Sequence, residues 1–433
     1  MIFSFISLTA QPKENSPYSR FGIGDMTDNN FVFISSTGLG ATMYHPYEIN
    51  ITNPATYGYL RSTAFALGLY TKYSKYTSKN NSSKVWSGNL QYISLGIPLI
   101  NPYNDILEKV RRKYDIGLSI TLMPHSIVGF NIKSEETLED DIKISRIYQG
   151  SGGTYKVVTG LGGRYENVAF GINAGYFFGQ IDYDRALTFS GLSSHFSNTY
   201  HTDYSVSGFL YNTGFLYNLV LNKKALKEGK ADKARKLVFG LYGNTKTYFS
   251  TTGKIFNYTQ IYNINNSEIT KDTVLFDEDI KGKGTLPVSI GGGILYNNGK
   301  KWLIGIDYNK TYWNQYTNEI KKDTLLNTFS ISLGAQYTPD ENSITSFYKR
   351  VNYSFNVYYK TDPRNENGTQ FNEKGLHLGF GFPFAYKRKI SRIDFDINMG
   401  KRGSGLKISE NFVKIGFNVT FNDSEWFIKR KYY

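Results

Sequence analysis

The sequence predicts an all-β fold, a transmembrane antiparallel β-barrel of about 14 strands with an N-terminal plug in the lumen. Three observations carry this expectation. From about residue 62 onward, segments of ten or so residues alternate apolar with small or polar side chains. The chain of 433 residues holds 36 Tyr and 30 Phe, yet its mean hydropathy is −0.40. No apolar run is long enough for a helix to cross a bilayer. Tyrosine suits a membrane wall because its ring sits at the interface while its hydroxyl meets the headgroups. Without a spanning helix, a membrane protein satisfies its backbone only as a closed barrel.

The alternation assigns two faces to each strand. Tyr114, Ile116, Leu118, Ile120 and Leu122 point one way, and Asp115, Gly117, Ser119 and Thr121 the other. Val168, Phe170, Ile172, Ala174, Tyr176 and Phe178 oppose Ala169, Gly171, Asn173 and Gly175. The same holds for Phe329 to Tyr337, Ile393 to Met399 and Val413 to Phe421. The polar face is mostly Gly, Ser, Asn and Asp rather than Lys, Glu and Arg. That composition fits a crowded lumen better than the solvent face of a soluble sandwich.

Fourteen segments follow the pattern: 62–77, 87–100, 113–134, 142–164, 168–190, 198–222, 236–254, 285–298, 301–317, 326–338, 344–361, 374–384, 391–401 and 411–421. With the N-terminal region on the periplasmic side, the tight turns Glu166-Asn167 and Asn297 to Lys300 both fall at the periplasmic end. The longer periplasmic links, Asn101 to Arg112 and Asn222 to Lys236, have room for a helical turn or two. The largest outer segment, Lys254 to Gly284, is rich in Asn, Thr and Asp and is expected to be an extracellular loop. Aromatics near strand ends, such as Tyr70, Tyr73, Tyr76, Tyr308, Tyr312 and Trp313, are expected to form interfacial girdles.

Four regions result. Residues 1–10 look like the remnant of a secretory signal, an apolar run before Thr9 and Ala10 without a basic leader. Residues 11–61 are too lightly patterned for a strand and are expected to fold inside the lumen as a plug, or hatch. Residues 62–421 form the barrel, and residues 422–433 a basic, aromatic periplasmic tail. Within the plug, Asn53-Pro54-Ala55 is expected to bend the chain toward the first strand, since Pro54 removes a backbone donor and fixes a turn.

By alternation, Asp115, Asp307, Asp394 and Asp396 point inward, as do Lys156, Arg164 and Lys414. These charges are expected either to pair and rigidify the wall or to meet the carboxylate of an anionic amphiphile. The five histidines, His45, His125, His195, His201 and His377, lack metal-ligand spacing. His125 and Ser126, adjacent on a strand, are expected to point oppositely, so they cannot form a nucleophile–base pair. Gly150 to Gly153 precedes no helix and is not a phosphate loop. Cysteine is absent, which excludes thiolate catalysis and Cys-ligated zinc. No cofactor, metal or enzymatic activity is expected. The formal charge of +14 is scattered through β-rich segments, and no nucleic-acid motif accompanies it.

The stretch from Gly38-Leu39-Gly40-Ala41 to Asn53-Pro54-Ala55 resembles the start of FadL-like outer-membrane transporters, where a Gly-rich stretch leads to an Asn-Pro-Ala hatch. Thr285-Leu286-Pro287 and Lys301 to Trp313 resemble later strands of that family, and SPYSRFGIGD and WFIKRKYY look like its Bacteroidetes branch. The chain departs from the pattern after the hatch, with Thr56-Tyr57-Gly58 where the family usually has Gly-Leu or Gly-Met. The resemblance implies fourteen strands, a plug and a place in the outer membrane among lipid and lipopolysaccharide. It implies first the uptake of a small hydrophobic or amphipathic compound. Its alternative is a non-transporting barrel, an accessory or scaffold subunit of an outer-membrane secretion or protein-assembly complex whose partners are other envelope proteins.

Overall fold

The computed structural model describes residues 16–426 apart from 79–80, 111, 138–142, 191–194, 224–233, 263–267, 300, 367, 387–388 and 405–407. Its wall is made of β1 (Thr63–Thr77), β2 (Ser82–Pro98), β3 (Tyr114–Thr137), β4 (Lys143–Tyr165), β5 (Val168–Ser190), β6 (His195–Val220), β7 (Arg235–Asn244 and Thr247–Tyr262), β8 (Glu268–Leu286 and Ser289–Asn298), β9 (Trp302–Thr311), β10 (Thr328–Tyr337), β11 (Asn352–Glu366), β12 (Thr369–Tyr386), β13 (Lys389–Arg402) and β14 (Ser409–Asp423). Each pairs antiparallel with its neighbours, and β14 closes the ring on β1 from Ser409 opposite Thr77 to Asp423 opposite Thr63. The barrel is therefore a closed ring of fourteen strands.

The alternation sorts lipid from lumen. Leu333 of β10 and Phe209 of β6 are 58% and 75% exposed on the outer face, whereas inward-facing Asn173 and Ser119 are buried. A continuous band of such apolar side chains on the outer wall suits contact with lipid. The link between β2 and β3 contains a short helix, Pro102–Glu108.

Several expected boundaries are corrected. The loop expected over 254–284 is strand where it is described: Thr247–Tyr262 and Glu268–Leu286 are the outer halves of β7 and β8, paired from Thr247 opposite Leu286 to Tyr262 opposite Glu268. Their polar composition hid them, because strands standing beyond the bilayer need no apolar face. β8 is broken after Leu286 because Pro287 has no N–H for the ladder. β2 begins at Ser82 rather than residue 87. β11 begins only at Asn352, after a 3-10 turn at Tyr348–Arg350, and not at residue 344. A bulge between Pro124 and Ser126 also overturns the expectation that His125 and Ser126 face opposite sides. Both are buried, with Ser126 bonded to Thr154 and the His125 ring against Phe177.

One seam in the wall is short. β2 and β3 pair only from Ile93 opposite Leu122 to Pro98 opposite Gly117, and their outer halves part. There the N-terminal segment supplies its own edge. Asp25–Met26 pairs antiparallel with Ile127 and Ser126, and Thr27 and Ser16 donate to the carbonyls of His125 and Gly129.

The rest of that segment lies inside the ring and holds most of the core. A lower apolar cluster joins Val32, Ile34, Leu39 and Tyr57 to Leu216, Val238 and Leu295 of the wall. An upper one joins Ile23 to Phe177, Tyr204 and Phe249 of the wall, with Tyr316 and Leu325 from the β9–β10 connection. Each such fully buried side chain contributes about 1.5–3 kcal/mol.

Candidate functional site

The predicted site residues lie within the lumen or line its wall. Asn53 caps the 3-10 turn Pro54–Tyr59: its side-chain oxygen accepts from the Ala55 N–H at 3.1 Å. Its amide donates at 2.6 Å to the carbonyl of Ala41 and at 3.1 Å to that of Phe215 in β6. The bend lies against a row of four glycines in direct register, Gly117, Gly162, Gly171 and Gly214, one each from β3 to β6. A Cβ on Gly117 would collide with Tyr57, on Gly162 or Gly171 with Pro54, and on Gly214 with Asn53. The wall is thus carved to let the backbone of residues 53–57 approach it. Asn173 of β5 fastens the same stretch, accepting from the Tyr57 hydroxyl at 2.9 Å and donating to Ile51 at 2.9 Å.

The charges expected inside the lumen are there, but they do not converge. Asp115, Lys156, Asp307, Asp394 and Asp396 are buried, and Arg164 and Lys414 are half-buried. Asp115 bridges Arg164 and Arg61. Asp307 accepts from the Ala41 N–H at 2.6 Å. Asp394 takes Arg392 at 2.9 Å, and Arg392 also reaches Glu48 of the N-terminal segment at 3.2 Å. Asp396 takes His377 at 2.9 Å. Lys156 donates to Asn29, and Lys414 lies 4.3 Å over the Tyr70 ring. Almost every one of these groups ties the N-terminal segment to the wall or one strand to the next.

A second ionic group, unforeseen from the sequence, sits in the outer half. Asp25 and Asp362 are shared by Arg364 and Arg402, with Arg402 Nη2 3.0 Å from Asp25 Oδ1. Arg402 also lies 4.6 Å over the Tyr18 ring. Lys72 pairs with Glu410 at 2.8 Å and Lys360 with Glu373 at 3.2 Å. In the β9–β10 connection, Lys321 donates to the Gly22 carbonyl at 3.2 Å; burial pushes its ammonium down to about 8, against the pull of Asp323. Strand parity carried a few residues further would have found Asp362, Arg364, Arg402 and Glu410, which continue the inward registers of β11, β13 and β14. Asp25 and Glu48 carry no such signal, because their stretch has no period.

A cavity of about 420 Å³ remains in this outer half. Asp28, Lys72, Lys360, Asp362, Arg402 and Lys414 are among the residues lining it, and it reaches Gln91 of β2 and Ile127 of β3 beside the seam. Among the described residues no three His, Cys, Asp or Glu side chains group as a metal site. The side chain of His195 and residues 1–10 lie outside the described residues.

A fourteen-stranded ring closed on itself, an apolar outer band and a lumen occupied by the chain's own N-terminal residues define a plugged membrane β-barrel whose fold is like that of FadL-type outer-membrane barrels. By sequence, the chain belongs to the BamG family, whose model matches residues 1–433. Among solved structures, it is similar to a FadL homologue from Pseudomonas aeruginosa at 10% identity and TM-score 0.56, covering 92% of this chain and 99% of that one. The toluene transporter TodX from Pseudomonas putida matches at 12% identity and TM-score 0.54, covering 92% and 99%. The toluene transporter TbuX from Ralstonia pickettii matches at 11% identity and TM-score 0.54, covering 91% and 98%. At these identities the likeness is one of fold. No curated protein matches the chain by sequence.

Proposed function

We propose that this chain is a non-transporting outer-membrane barrel that serves as an accessory, scaffolding subunit of a protein-assembly or secretion complex. The observation that carries the reading is the lining of the outer cavity. A site for a small apolar solute is mostly apolar, with a few placed polar groups. In this cavity the ion pairs of Lys360 with Glu373 and of Arg402 with Asp362, and Lys72 with Glu410 behind it, stand among apolar residues such as Leu90, Trp313 and Phe412. A hydrophobic compound entering it would strip water from charges and return no hydrogen bond. Below it, the glycine row and the lower apolar cluster pack the wall closely against residues 53–57. What such a barrel offers to other molecules is its rims and its outer wall.

A second reading, uptake of a small hydrophobic or amphipathic compound, is favoured by one feature. The outer halves of β2 and β3 part beside the cavity, so a path from lumen to lipid needs only the displacement of residues 16–31. Deleting the chain from its native cell separates the two. The scaffold reading expects other outer-membrane proteins to be depleted or misassembled, with uptake of a fatty acid or an aromatic probe unchanged. An intact outer-membrane protein profile with uptake lost would reverse the order of the two readings.

A further inference from the structure

At the periplasmic mouth a separate cavity of about 240 Å³ opens between the base of the N-terminal segment and the ends of β4, β5, β6 and β7. Arg61, Arg164 and Lys236 line it together with Tyr44, Tyr59 and Asn218. The count of charge there does not balance. Asp115 is the carboxylate that both arginines share, with Arg61 Nη1 3.0 Å away. Glu166, also in the lining, is taken by Lys113 at 3.0 Å. Lys236 has no carboxylate partner among the described residues, and Arg164 Nε is buried without one. Three cations with only Asp115 shared among them in a half-buried space call for a further anion.

The neutral groups fit the same purpose. Tyr59 accepts from the Asn218 amide at 2.6 Å, which leaves its own hydroxyl proton to donate. The Arg164 guanidinium lies 4.9 Å from the centre of the Tyr59 ring, and its Nε–H is left without a partner. We infer that this pocket binds a carboxylate of an acidic periplasmic polypeptide, a Glu or Asp side chain or a chain terminus. Two observations choose that source. Arg61, Arg164 and Lys236 line the inside of the mouth rather than the lipid-facing wall, so an annular lipid headgroup does not reach them. The volume suits one side chain rather than a drug-sized ligand, which needs about 300 Å³ or more.

The choice of a polypeptide rests on the scaffold reading, whereas the anion site rests on the pocket alone. The test is isothermal titration of the full chain in detergent with acetylated tetraglutamate, with acetylated tetraglutamine and with inorganic phosphate. Expected is saturable 1:1 binding of tetraglutamate that weakens about tenfold in Lys236→Gln and in Arg61→Gln, with no binding of tetraglutamine and weaker binding of phosphate. Lys236→Gln removes no ion pair, and heat-dependent gel mobility checks that the barrel is intact. Absence of tetraglutamate binding, or binding that Lys236→Gln leaves unchanged, would overturn the inference. Phosphate binding more tightly than the peptide would overturn the polypeptide source. In either case a barrel that still co-elutes with envelope proteins would leave the scaffold reading standing.

Discussion

The side-chain amide of Asn53 donates to the main-chain carbonyl of Phe215 at 3.1 Å, so the lumenal segment is fastened to the backbone of the wall itself. Asn53 also holds Ala41 and caps its own turn while fully buried. Asn53→Ala leaves the Phe215 and Ala41 carbonyls without this donor. It is expected to cost about 1–3 kcal/mol, read as a lower temperature for the heat-induced shift in gel mobility.

The glycine row tests the cradle by adding atoms instead of removing them. Gly171→Ala places a methyl group against the Pro54–Ala55 backbone. Overpacking of this kind costs about 1–3 kcal/mol. Gly163→Ala is the control, since the nearest atom to its Cβ would be the Asp115 carbonyl oxygen at 3.8 Å. Gly171→Ala should lower thermal stability, and Gly163→Ala should leave it nearly unchanged.

Arg402 joins the opposite end of the segment to the wall through Asp25 and Asp362. Removing it leaves the buried Asp362 and the half-buried Asp25 with one cation fewer. Arg402→Ala is expected to cost about 3 kcal/mol and to make the chain between Ser16 and Asp28 accessible to protease while the barrel stays folded. Limited proteolysis followed by mass spectrometry of the cleavage sites reads this directly.

The lipid face is tested at Leu333, which lies outward near the middle of β10. Leu333→Arg puts a charge against hydrocarbon at a cost of about 2–4 kcal/mol, measured by equilibrium unfolding in lipid vesicles. Ser332→Arg, on the other face of the same strand, should perturb the lumen cavity instead and should not show the same dependence on bilayer thickness.

The seam between β2 and β3 separates the two functional readings. Met26 and Ser126 stand opposite each other in the ladder, and antiparallel partners lie about 4.5–5.5 Å apart at Cα, within reach of a disulfide. The native chain has no cysteine, so Met26→Cys with Ser126→Cys introduces a single bridge. A scaffold barrel should support a deletion strain equally well oxidised or reduced. A barrel that feeds solutes sideways into lipid should lose uptake when oxidised and regain it on reduction.

What the sequence made legible was whatever the bilayer imposes with a period. Val168 to Phe178 alternate because one face meets lipid, and the strand lies where that alternation puts it. Ile255 to Tyr262 and Glu268 to Gly284 were invisible as strands because, beyond the bilayer, both faces are largely polar and the period vanishes. Inward charges such as Asp394 were readable by parity, but Arg402 and Glu410 fell just past the apolar stretches that marked the strands. The partners of those charges were not readable. Asp25 to Arg402 and Glu48 to Arg392 span hundreds of residues, and no local pattern encodes which strand the lumenal segment will meet. The row Gly117, Gly162, Gly171 and Gly214 was visible only as small inward residues, since its alignment needs the register.

On the proposed function this barrel acts through what it holds rather than what it passes. The decisive experiment is mild detergent extraction at native expression, followed by size-exclusion chromatography and mass spectrometry of the co-eluting material. Stable co-elution with other envelope proteins and no stoichiometric amphiphile in the lumen is the expected result. A monomer carrying one lipid or fatty acid per chain would contradict it and put uptake in its place.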